Sequence, residues 1–89
     1  MDKDFEIYDL RKKDSFDGGH IKGSTNINPS IIREKLGEFD KNKKILLVDK
    51  NGATSKSTTK LMQNAGYNKV YILDGGFEFL EKYLSLIHI

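Results

Sequence analysis

The sequence predicts an α/β domain, a three-layer α/β/α arrangement around a mainly parallel four- to five-stranded sheet. Three observations predict it. Short strand-like segments recur at 5–10, 24–27, 44–48 and 69–73. Helically spaced segments separate the last three, and strands alternating with helices at these lengths are the mark of βαβ units. Ile45-Leu-Leu-Val48 is apolar without a break, as a strand covered on both faces must be.

Each element has its own warrant. Phe5-Glu-Ile-Tyr-Asp-Leu10 alternates, with Phe5, Ile7 and Asp9 on one face and Tyr8 and Leu10 on the other. It reads as a strand buried on both sides. Asp14 to Gly19 is turn chemistry with room for one helical turn, and Gly18, Gly19 and Gly23 supply turns that need positive φ or close backbone approach. Ser24 to Ile27 is a brief strand. Pro29 to Leu36 is a helix that opens on proline and stops at Gly37, with Ile32, Leu36 and Phe39 toward the sheet. Thr54 to Asn64 is a helix whose stripe is Leu61, Met62 and Ala65 and whose stop is Gly66. Val70 to Leu73 is a buried strand. Asp74-Gly-Gly76 turns the chain into a last amphipathic helix, Phe77 to Leu84, with Phe77, Leu80 and Leu84 on one face. The domain is therefore expected over 1–84, and 85–89 form an apolar tail that the preceding pattern does not explain.

Composition narrows the function classes. The chain has 89 residues, 31% of them charged, and a formal charge of +2. That charge makes no electrostatic case for nucleic acid. No apolar run reaches the roughly 20 residues of a membrane span. No apolar leader follows Met1, so the cytoplasm is the default expectation. There is no cysteine, which excludes disulfides, thiolate zinc sites and a cysteine nucleophile together. The two histidines, His20 and His88, lie too far apart to suggest a metal site, and no cofactor is expected.

The chemistry-bearing position is the junction after the central strand. In parallel α/β sheets, sites form where strands end and helices begin. Here the junction starts with Asp49, and its glycine, Gly52, lacks the Gly-Lys-Ser/Thr ending of a nucleotide P-loop. Lys50 and Lys56 flank it and offer weak attraction to an anion. Asp49 has two readings. One is a structural cap at the turn, which we prefer. The other is a phosphoryl-accepting or Mg²⁺-dependent, phosphatase-like aspartate, which needs further carboxylates nearby. His20 is read as a structural residue bonded to local backbone rather than a general base. Lys41 to Lys44 is read as a solvated turn.

Three landmarks in order resemble the rhodanese-like family. They are Asp9-Leu-Arg11, then Gly19-His-Ile-Lys-Gly-Ser-Thr-Asn-Ile27, then Leu73-Asp-Gly-Gly76 followed by Phe77. The residues that carry the likeness are Asp9, Arg11, Gly19, His20, Gly23, Asn26, Gly75 and Gly76. The resemblance implies an additional strand and helix before Asp9-Leu-Arg11, for which the chain starts too late. A missing N-terminal strand would leave the edge at Val70 to Leu73 open. The tail 84–89 or a second copy, as a homodimer, is expected to cover it.

The resemblance also implies that Asp49, Lys50, Asn51, Gly52, Ala53, Thr54 and Ser55 correspond to the family's active-site loop. Asp49 then stands at the cysteine position and Thr54 at a common arginine position. Sulfur transfer needs a thiolate that takes up a sulfane sulfur as a persulfide, which a carboxylate cannot hold. The expectation is thus an inactive sulfurtransferase relative, with no catalytic residue, that binds or regulates. It would engage a protein partner or a small anion, and neither nucleic acid nor membrane. Asp49 should fill the loop from within, accepting hydrogen bonds from amides of Asn51 to Ser55. A further alternative is an inactive fragment of a longer tandem rhodanese.

Overall fold

The computed structural model describes residues 5–79. The elements are β1 (Phe5–Asp9), α1 (Lys13–Asp17), β2 (Thr25–Asn26), α2 (Pro29–Glu34), β3 (Lys44–Val48), α3 (Ala53–Asn64) and β4 (Val70–Ile72). The chain is helical again over 76–79. The four strands form one sheet in the order β2-β1-β3-β4, with every pair parallel. The central pair runs in register from Phe5↔Lys44 to Asp9↔Val48, so the C-terminal ends of β1 and β3 finish side by side. The remaining turns of the expected Phe77–Leu84 helix, and the tail 85–89, lie outside the described residues.

Period-two patterning explains why the sheet is covered on both faces. Ile45 and Leu47 of β3 point into the larger cluster with Leu10, Ile32, Met62 and Tyr67. Leu46 and Val48 point the other way, to Ile7 and Phe77. Tyr8 and Leu10 join the first side and Phe5 and Ile7 the second, as the alternation of β1 requires. Among the described residues β4 pairs with β3 alone, and its Tyr71 packs edge-on against Phe5 at 5.3 Å.

The helices differ from expectation in detail. α1 is a five-residue helix with no buried residue, the single helical turn for which the 14–19 segment had room, begun one residue earlier. α2 begins at Pro29 with Asn28 as its cap, the Asn28 side chain accepting from Ser30 N. It ends at Glu34, before Leu36, and a turn carries Leu36 and Phe39 onto the core. α3 buries Ser55, Thr58 and Met62, so its inner face is more polar than the Leu61–Met62–Ala65 stripe. Gly66 ends it at φ +98°. Tyr67 follows at 1% exposure, donating to Phe39 O at 2.7 Å and accepting from Gly37 N at 3.2 Å. The phenol thereby ties the α2–β3 connection to the end of α3. Gly18 has φ −75°, so the turn there does not need its glycine for a left-handed backbone. No helix among the described residues is long and apolar enough to cross a membrane.

Candidate functional site

The site lies at the C-terminal ends of β1 and β3. Leu10 N donates to Val48 O at 2.7 Å, which holds the two strand ends together as they leave the sheet. The chain leaves β3 through Asp49, only 4% exposed. Its Oδ1 accepts from Gly52 N at 2.6 Å, and its Oδ2 from Thr54 N at 2.8 Å and Ser55 N at 3.1 Å. The intervening amide, Ala53 N, donates to Asn51 Oδ1 at 3.0 Å. A helix leaves its first N–H groups without intrahelical partners. In α3 those groups are taken by two side chains of the preceding loop. The first turn then closes through Lys56 N to Gly52 O at 3.0 Å.

Gly52, at φ +95°, makes this possible, because the left-handed backbone turns its amide inward at little cost for glycine. A second loop presses on the first. Phe77 N donates to Asp49 O at 2.7 Å and Glu78 N to Lys50 O at 2.9 Å. Gly76 is required by the closeness of this contact. A Cβ there would lie 2.6 Å from Asn51 N and 2.7 Å from Asp49 O, with no flexible side chain to yield.

The first-strand motif forms the neighbouring wall. Asp9, 1% exposed, accepts from Arg11 Nε at 3.0 Å and from Arg11 Nη2 at 2.8 Å. It also accepts Arg11 N at 3.0 Å. Arg11 Nη2 reaches on to Gly19 O at 2.7 Å, and the guanidinium lies 3.6 Å from the centroid of the Phe77 ring. That stacking joins the early loops to the late one. Asn26 Nδ2 bonds Asp9 O and Arg11 O at 3.0 and 2.8 Å, fixing the β1 exit from the β2 side. His20 is exposed, stacked on Phe16, with Nδ1 bonded to Phe16 O at 2.7 Å. Gly23 shapes the turn into β2 at φ +87°.

These walls enclose a cleft of about 540 Å³. Asp49, Lys50, Asn51 and Thr54 line it on one side, Arg11 and Phe77 on another. His20, Gly23 and Asn26 stand behind its walls and do not face it. Lys12, Ser15 and Glu78 also face it, unmarked by any local signal, and no motif covers Lys12 or Ser15. Lys50 approaches Glu78 at 3.9 Å, both well exposed, an ion pair of little strength.

The family model of the Rhodanese-like domain matches residues 1–82. The chain belongs to the rhodanese-like family. It is 33% identical over 75 residues to the thiosulfate sulfurtransferase GlpE of Shewanella oneidensis, covering 84% of this chain and 74% of GlpE. It is 35% identical over 77 residues to YibN of Escherichia coli K12, covering 83% of this chain and 54% of YibN. A rhodanese-related protein of Thermoplasma volcanium superposes with a TM-score of 0.81 over 91% of this chain and 80% of its own, at 23% identity, a likeness of fold. Against that family background, this rhodanese-like domain has no cysteine anywhere in its sequence.

Proposed function

We propose that this rhodanese-like domain does not carry sulfur and acts by binding, with Asp49 to Ser55 as the counterpart of the family's active-site loop. The observation that supports this most is the seating of Asp49. Loop amides and a helix N-terminus form a ready anion site. Here a carboxylate of the chain itself takes three of the four amides and Asn51 takes the fourth. An external anion would have to displace a covalently tethered one. The cleft above is still open, and Lys12, Lys50 and Glu78 face it, the last two 3.9 Å apart. These side chains suit a protein segment or small anion held at the mouth rather than in the loop.

The phosphoryl-acceptor alternative is less well supported. Both oxygens of Asp49 face into the loop, where an acceptor would need one aimed at the cleft. The test is sulfur transfer from thiosulfate to cyanide by this chain beside an Asp49→Cys, Thr54→Arg variant. The expected result is no turnover by the native chain and measurable turnover by the variant. Turnover by the native chain would overturn the proposal. Mg²⁺-dependent labelling by a small phosphodonor, lost in Asp49→Asn, would favour the alternative instead.

A further inference from the structure

Asn51 is the one asparagine of the chain followed by glycine. That dipeptide is chemically labile, because glycine offers no Cβ to hinder its own nitrogen from attacking the preceding amide. In ring closure a bond forms between Gly52 N and Asn51 Cγ, and the bond from Cγ to Nδ2 breaks. The departing ammonia takes up the hydrogen that Gly52 N loses. Water then opens the succinimide at either carbonyl, leaving aspartate or isoaspartate at position 51.

We propose that Asn51–Gly52 is a self-modification site whose rate is set by the grip of Asp49 on the Gly52 N–H. Three observations meet there. Asn51 is exposed, so its leaving group and the hydrolytic water have access. The hydrogen that closure must remove is the one Asp49 Oδ1 holds at 2.6 Å, in the shortest of its three bonds. The oxygen of the attacked amide is held by Ala53 N at 3.0 Å, so the Asn51 side chain cannot turn freely toward Gly52 N. The bond to the carboxylate is charge-assisted, so breaking it to free the Gly52 nitrogen for attack is costly. The imide product would leave Asp49 facing a nitrogen with no hydrogen, in a place 4% exposed. Closure therefore waits for the loop to open.

The consequence reaches the cleft. Asn51 lines it, so conversion adds a carboxylate beside Lys50 and Glu78 and lowers the charge of the domain by one. The isoaspartyl form also lengthens the backbone by a methylene and pulls Gly52, Thr54 and Ser55 out of register with Asp49. The modification records that the loop has been open, and it changes what the mouth of the cleft attracts. This inference is independent of the proposed loss of sulfur transfer.

The test is incubation of the folded chain at neutral pH, with peptide mass spectrometry for conversion at position 51 and carboxyl-methylation assay for isoaspartate. The folded native chain should convert about tenfold or more slowly than the same chain in urea. Asp49→Ala, shown by circular dichroism to remain folded, should convert about as fast as the unfolded chain, while Asn42, Asn64 and Asn68 stay unchanged. Should that variant not fold, amide hydrogen exchange on the native chain replaces it, and Gly52 N–H should be among the protected amides of the loop. Native conversion at the unfolded rate, a folded Asp49→Ala no faster than native, or a Gly52 N–H that exchanges like an exposed amide would each overturn the proposal.

Discussion

Asp9 and Asp49 are two buried carboxylates at the same end of the same sheet, one strand apart, and the fold neutralises them by different means. Asp9 faces a full cation, bonded through two guanidinium nitrogens of Arg11, with one backbone amide added. Asp49 meets backbone amides alone, at the N-terminus of a twelve-residue helix. A side-chain cation can be deleted by one substitution, leaving its partner buried and uncompensated. Backbone amides survive every substitution except proline, so the Asp49 arrangement is lost mainly through Asp49 itself or through the shape of its loop. The family resemblance divides along the same line. In the resemblance drawn from the sequence, Asp9 and Arg11 are among the landmarks, and Asp49 is the expected departure.

Breaking the first arrangement should have the larger effect. Arg11→Met removes the cation from Asp9, the bond to Gly19 and the stack on Phe77, and should destabilise the domain by about 3–5 kcal/mol in urea unfolding. A loss below about 1 kcal/mol would mean that the amides around Asp9 suffice without the cation. Asp49→Asn keeps the shape but turns one donor toward donors. It should cost about 2 kcal/mol, with faster hydrogen exchange confined to the first turn of α3. If the exchange instead quickens across the whole sheet, the two carboxylates are coupled and the contrast between them fails.

A control away from both is Tyr67→Phe, which strips the bond to Phe39 O and should cost about 1 kcal/mol. Lys50→Ala, at the exposed pair with Glu78, should change stability by less than about 0.5 kcal/mol. The residue before Asp9 in β1, Tyr8, gives a pH response of its own. Burial, and then the hydrogen bond to Glu6, push the Tyr8 phenol well above its ordinary value of about 10. The unfolded chain therefore releases this proton first, and folding stability should fall as pH rises above about 10. Tyr8→Phe should remove that alkaline loss, read by thermal melts across the range.

Much of this was legible in the sequence, for identifiable reasons. The alternation of β1 and the unbroken Ile45–Val48 run state the burial of both faces directly, because strand periodicity is short-range. The seating of Asp49 on the first amides of α3 was also readable, since its partners lie within six residues of it. What escaped depends on distant pairs. Tyr67 looks like an ordinary residue after a helix stop, and only the fold brings Phe39 and Gly37 to its hydroxyl. Ser55 and Thr58 lie outside the apolar stripe expected for their helix, yet both are buried. Gly76 was legible as a turn glycine but not as the point where two loops touch backbone to backbone. Lys12, Ser15 and Glu78 reach the cleft because of where β1 and the last turn end, and no local pattern announces that.

The contact at Gly76 bears on how such a scaffold can be altered. Loop 49–52 and the turn around 74–78 meet through main-chain atoms, with two amide bonds and no intervening side chain to act as padding. A longer or shorter first loop would find nothing compressible beneath it. The two segments thus form a single cassette, and anyone transplanting a new chemistry onto this end of the sheet would have to exchange both together.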